Sequence, residues 1–120
     1  MFSTKDQQII DAMLKTDIKF YESSDSVNNI SLIHDQAYIL KELKHKLIPG
    51  ANVLDIGSGS GIFSVIFANM VNIRGLGDKP KGCVVGVDIS KEVIESSLQN
   101  ILSDIINSDL LSSNNQDFLK

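Results

Sequence analysis

The sequence predicts an α/β fold, part of a doubly wound parallel sheet preceded by N-terminal helices. Three observations carry that reading. Two short β-branched runs, Ala51–Ile56 and Cys83–Asp88, each end on or beside an aspartate. A glycine cluster, Gly57-Ser58-Gly59-Ser60-Gly61, follows the first run directly. A helix-length apolar segment follows each run. Strand, glycine turn, helix, strand, helix is one βαβ unit, and its strands should be parallel.

The elements follow in order along the chain. Thr4 with Gln7 makes a capping box for a first helix, and Ile9, Ile10, Met13 and Leu14 supply its apolar stripe. Asp17 to Asn29 is polar and reads as loop. A second helix is expected from about Leu32 to Leu47, with apolar positions Ile33, Ala37, Ile39, Leu40, Leu43 and Leu47, a solvated lysine face (Lys41, Lys44, Lys46), and a stop at Pro49-Gly50. Ile62–Val71 is apolar nearly all round, as a helix buried against a sheet should be, with Phe63 and Phe67 in the core. Asn72 to Gly82 reads as loop. Cys83–Asp88 reads as a buried strand in which Cys83 is a small hydrophobe. Ser90 caps a last helix with apolar positions Val93, Ile94, Leu98, Ile101, Leu102 and Ile105. From Asn107 the chain is polar with no clear period. The pattern stops near Asp117-Phe118-Leu119, where a third strand would be due, so the chain is expected to be part of a domain.

Composition bounds the function. The 120 residues are 42% hydrophobic and 22% charged, which excludes a disordered chain. With 11 basic and 15 acidic side chains the net charge is −4, so no nucleic-acid or anionic-membrane partner is expected. A single cysteine excludes an internal disulfide framework and a Cys-based zinc site. His34 and His45 have no partner ligand at metal spacing, and no metal is expected. No apolar run is long enough for a signal peptide or a bilayer span, giving the expectation of a soluble, cytoplasmic protein.

The glycine turn carries the chemistry. A strand-to-helix turn of glycines lets a ligand approach the backbone at a helix N-terminus. A dinucleotide fold wants G-x-G-x-x-G, but Ile62 stands where that pattern has its third glycine. Asp55, just before the turn, would repel a pyrophosphate and suit a cationic ligand such as an ammonium or a sulfonium. Asp88 ends the second strand, where a carboxylate can accept both hydroxyls of a ribose.

Together, Val53–Gly61 and Val84–Asp88 resemble the class I S-adenosylmethionine-dependent methyltransferases. Reading outward narrows the resemblance. Ile10–Asp17 with Phe20-Tyr21, Asn29-Ile30-Ser31 with His34 and Ala37-Tyr38, Asp55–Ile62, and Val87-Asp88 with Lys91-Glu92 and Asn100 are similar to the protein-L-isoaspartate (D-aspartate) O-methyltransferase family. The match runs in order over nearly the whole chain. It implies a Rossmann-like methyltransferase sheet of the three-layer αβα type, divided here into an N-terminal helical cap over residues 1–48 and an incomplete S-adenosylmethionine-binding half-domain over 49–120.

The resemblance further implies methyl transfer from S-adenosylmethionine, with S-adenosylhomocysteine as product, onto the free carboxylate of isoaspartyl residues in damaged proteins or peptides. It assigns Ser31 to the reacting centre and as the catalytic residue. Ile30 and Ser31 would line the cofactor, Asp55 and Gly57, Ser58, Gly59, Ser60 and Gly61 would meet its methionine half, and Asp88 with Ile89 would face ribose and adenine. Departures are also visible: the stretch between Tyr21 and Ser31 is short and polar, and Ile18, Asn29 and Gln36 stand where the family usually has arginine, threonine and histidine. Everything after the second long helix of the family pattern is absent. Ser31 immediately precedes an apolar helix, the position of an ordinary N-cap. Open alternatives are a methyltransferase acting on another substrate, an inactive or truncated methyltransferase fragment and, more distantly, a dinucleotide-binding protein. A strand pair with an uncovered edge and face also predicts self-association.

Overall fold

A computed structural model describes the backbone of residues 4–21, 29–72 and 82–118, and the side chains of 6–21, 34–72 and 82–108. Among the described residues four helices and two strands follow in order: α1 (Thr4–Lys15), α2 (Asn29–Leu43), β1 (Asn52–Ile56), α3 (Ile62–Val71), β2 (Cys83–Val87) and α4 (Lys91–Phe118), with one 3-10 turn at Ile18–Phe20 after α1. β1 and β2 pair in parallel, with Val53 beside Val84 and Ile56 beside Val87. This is the expected βαβ unit.

The core is one cluster that joins the N-terminal helices to the sheet half. Ile9 and Ala12 of α1, Tyr21, Leu40, Leu47, and Ile62, Ile66, Phe67, Met70 and Val71 of α3 are all buried. The Phe63 and Phe67 rings stand 5.7 Å apart on α3. The apolar stripe of α1 turns toward Ile9 and Ala12, leaving Leu14 79% exposed. The side chain of Thr4, and with it the expected capping box, lies outside the described residues.

Several boundaries differ from expectation. Helix α2 starts at Asn29 and ends at Leu43, where the amides of Lys46 and Leu47 both turn back onto the Leu43 carbonyl. Leu47 remains buried through that turn. Lys44 is not solvated but reaches Asp6 at 3.2 Å, tying α2 to α1. Helix α4 runs on to Phe118 through the stretch without a period, because elongating a formed helix gains one hydrogen bond per residue fixed.

The sheet is covered on one face. Val53, Asp55 and Val84 are half-buried, whereas Leu54, Ile56, Cys83, Val85 and Val87 are exposed. The buried-strand reading of β2 and the burial expected for Cys83 are therefore overturned. Only one side of the strand pair meets helices among the described residues, and a strand's side chains alternate between faces. On α4 the inward stripe is Ile94, Ser97, Ile101 and Asp104, and the expected core positions Leu98, Leu102 and Ile105 are about half exposed.

Candidate functional site at the strand ends

The parallel register sets the site. Because Ile56 lies beside Val87, the chain leaves both strands side by side, and the glycine turn comes against Asp88. The amides of Gly57 and Ser58 both donate to the Val87 carbonyl, at 2.8 and 3.0 Å. The Gly59 amide donates to Asp88 Oδ2 at 3.1 Å. Gly61 closes the turn by donating to the Ser58 carbonyl.

Alternation of glycine in this turn has a steric cause. Gly57, Gly59 and Gly61 all sit at positive φ (74°, 56° and 91°), a region that side chains rarely tolerate. No atom stands within 4 Å of where a Cβ on Gly57 or Gly59 would project, so the backbone is open to a ligand. Gly61 serves packing instead: a Cβ there would meet Ile101 Cδ1 at 3.1 Å. Asn100 of α4 reinforces the approach by donating from Nδ2 to the Ser60 carbonyl at 3.1 Å.

Two carboxylates flank the turn. Asp55 is half-buried and accepts a 2.7 Å hydrogen bond from the Ser64 hydroxyl. Asp88 accepts from the Ser90 amide as well as from Gly59. Those amides, that of Ser90 first, hold the Asp88 carboxyl below the usual carboxylate range. Ser90 also caps α4, accepting from the Val93 amide at 3.4 Å. Ile89 projects fully into solvent beside Asp88.

This arrangement suits one ligand class better than another. Four of the turn's amides are already committed to protein acceptors, so they do not form the free cradle a pyrophosphate needs. A negative charge on either side favours a ligand carrying positive charge. Beyond the backbone amides it accepts from, the Asp88 carboxylate keeps lone-pair capacity that a ribose hydroxyl can use.

Of the residues singled out in the sequence, Asp55, Gly57 to Gly61, Asp88 and Ile89 come together at the strand ends. Ile30 and Ser31 fall in the first turn of α2, and their side chains lie outside the described residues. Ser31 is thus within the helix, not at its N-cap. Two residues went unnoticed in the sequence. Ser64 is the one hydroxyl in the apolar run Ile62–Phe67, a signal that could have marked it. Gly86 sits inside a strand, which often marks close approach; a Cβ there would meet Ser64 Oγ at 2.8 Å.

Comparison with known proteins agrees with this geometry. The family model described as protein-L-isoaspartate(D-aspartate) O-methyltransferase matches residues 3–114. Protein-L-isoaspartate O-methyltransferase 2 of Arabidopsis thaliana is 42% identical over 72 residues, covering 60% of this chain and 21% of that protein. The Triticum aestivum protein-L-isoaspartate O-methyltransferase is 39% identical over 72 residues, covering 60% and 28%. A crystal structure of a Plasmodium falciparum protein assigned as a protein-L-isoaspartate O-methyltransferase, in complex with S-adenosyl-L-homocysteine, superposes with a TM-score of 0.69 at 29% identity. It covers 81% of this chain and 48% of that one. The chain therefore spans about half the length of the solved relative and less than a third of these curated ones.

Proposed function

The chain belongs to the protein-L-isoaspartate(D-aspartate) O-methyltransferase family, and from that membership we propose that it forms the S-adenosylmethionine-holding part of an enzyme that methylates the free carboxylate of isoaspartyl residues in damaged proteins or peptides. The observation that carries this reading is the pairing of two carboxylates with an open glycine turn. Asp55 and Asp88 stand on either side of backbone that no side chain covers.

When bound, S-adenosylmethionine supplies a sulfonium methyl: its S–CH3 bond breaks with the electron pair passing to sulfur as a substrate carboxylate oxygen forms the new O–CH3 bond, leaving S-adenosylhomocysteine and a neutral methyl ester. The chain's own work is binding and alignment. Asp55, oriented by the Ser64 hydroxyl, faces the positively charged end of the ligand. Gly57 and Gly59 allow close contact along the methionine half. Asp88 accepts the ribose hydroxyls, and Ile89 offers an apolar face to the adenine. Ser31, from the first turn of α2, donates its hydroxyl to the incoming carboxylate and holds it in line. A carboxylate is already a nucleophile, so no strong base is required, and catalysis comes from positioning. In this reading residues 1–48 cap the site and residues 49–120 hold the ligand. The exposed, unpaired Cys83 fits a reducing compartment, which supports a cytoplasmic location.

A thermal melt followed by circular dichroism, with and without excess S-adenosylhomocysteine, tests the binding half of this reading. A ligand that binds only the folded state raises the midpoint by mass action. A cooperative melt that fails to move refutes the site. Methyl transfer to an isoaspartyl peptide, and none to its aspartyl twin, tests the substrate.

A further inference from the structure

Helix α4 meets the glycine turn in two ways. Asn100 Nδ2 donates to the Ser60 carbonyl at 3.1 Å. Gly61, bare of a side chain, lets α4 come so close that a Cβ there would meet Ile101 Cδ1 and Ser97 Cβ at 3.1 and 3.3 Å. Where the turn lies therefore depends on where α4 lies.

The apolar hold on α4 is weak. No apolar residue of α4 with a described side chain belongs to the buried core, and Ile101, which packs against that core, is only partly buried. Leu98, Leu102, Ile105 and Ile106 are about half exposed. Burial stabilises in proportion to the apolar area removed from water, so these side chains fix the helix poorly.

Asp104 supplies the firmer hold. It stands one turn beyond Asn100, about 6 Å further along the axis and on the same side of the helix. It is 3% exposed and accepts from the Tyr21 hydroxyl at 2.7 Å and from the Asp17 amide at 3.3 Å. Tyr21 is itself part of the buried core. The same segment is tied to α3 through Thr16, whose hydroxyl accepts from Asn69 Nδ2 at 3.1 Å. The carboxylate thus joins a loosely packed helix to a point that the core holds.

We propose that Asp104 is a positioning residue for the glycine turn: by gripping Tyr21 and Asp17 it sets the place of α4, so that Asn100 reaches the Ser60 carbonyl and the turn keeps the shape its ligand needs. That this ligand is the methyl donor rests on the reading above; the placing of the turn does not.

The backbone amide signals of Ser60 and Gly61 in 15N-labelled chains, kept where circular dichroism shows them fully folded, test this. Asp104→Leu removes the acceptor for both donors. Tyr21→Phe removes one donor and keeps the ring, and it decides the matter if Asp104→Leu does not fold. Each substitution should move the Ser60 and Gly61 signals. With Asn100→Ala already in place the same substitution should move them far less, because the effect runs through Asn100. Asp104→Asn, which keeps one acceptor oxygen, should move them less than Asp104→Leu. S-adenosylhomocysteine should bind the Asp104→Leu and Tyr21→Phe chains about three- to tenfold more weakly than the unaltered one, the worth of the Asn100 bond. An anchor that serves stability alone would lower the melting midpoint and move neither the turn signals nor the affinity of the folded chain. Turn signals that stay in place, or an affinity that does not change although the unaltered chain binds, overturn the proposal. Signals that move in a chain that never binds S-adenosylhomocysteine uphold the positioning and refute the methyl-donor reading instead.

Discussion

Tyr21 donates a 2.7 Å hydrogen bond to Oδ2 of Asp104, 83 positions further along the chain, and both residues are buried. The other oxygen of Asp104 accepts from the Asp17 amide at 3.3 Å. One carboxylate thus fastens the segment after α1 to α4, the same helix that reaches the glycine turn through Asn100. Replacing Tyr21 by Phe removes one of the two donors from a buried carboxylate and should lower stability by about 1–3 kcal/mol. Urea denaturation of the two proteins at neutral pH reads the difference.

The same bond predicts an alkaline limit. Burial first, and then the hydrogen bond to Asp104, raise the Tyr21 phenol well above its ordinary value near 10. Above about pH 10 the unfolded chain releases this proton and the folded chain keeps it, so stability falls as pH rises. Midpoints of urea denaturation measured from pH 8 to 11 should decline at the top of that range. In Tyr21→Phe the part of the decline that begins near pH 10 should be smaller.

Gly61→Ala is expected to cost about 1–3 kcal/mol. The residue sits at φ 91°, and a methyl group there would press on Ile101 Cδ1 and Ser97 Cβ at 3.1 and 3.3 Å. Moving α4 away would also strain the bond from Asn100 to the Ser60 carbonyl. Thermal melts should show the lower midpoint, and the shift produced by S-adenosylhomocysteine should shrink with it.

Asp88→Asn and Ser64→Ala separate the two ends of the proposed ligand site. The first replaces the ionised acceptor proposed for the ribose and should weaken S-adenosylhomocysteine binding about tenfold or more, the worth of a charged hydrogen bond. The second removes the hydroxyl that orients Asp55 and should weaken binding less, by about three- to tenfold. Because the amides of Ser90 and Gly59 keep Asp88 ionised below the usual carboxylate range, binding by the unaltered chain should persist as pH falls to about 4. Calorimetric titration measures all three.

On the sheet's bare face Leu54 and Val85 stand side by side, 61% and 50% exposed. We propose that in isolation the chain associates with another copy through this surface, since contiguous apolar patches and open strand edges invite pairing. Light scattering should give a mass above that of one chain, and Val85→Lys should lower it. A monomer for the unaltered chain would refute the association.

The local code was legible in the residues. Gly57, Gly59 and Gly61 announce a turn because no other residue accepts those backbone angles at so little cost. β-branched runs on either side of a buried apolar helix announce the parallel pair, since that order allows little else. Asp55 and Asp88 were legible as neighbours of the turn, because one stands near the end of each β-branched run. What stayed hidden depends on which surfaces meet. The buried face of α4 is read from Ser97 and Asp104, polar residues whose burial depends on close packing and on Tyr21, a partner 83 positions away. The exposure of Cys83 and Val85 depends on what lies over the sheet's other face, which no pattern within β2 encodes. By itself the sequence determined the order of helices and strands, their parallel pairing and the glycine turn, because those follow from backbone sterics and hydrophobic period over a few residues. Only the tertiary structure decided the Asp104 anchor and the Ser64–Asp55 pair, because hydrogen-bond partners across the fold are fixed by packing between segments distant in the chain.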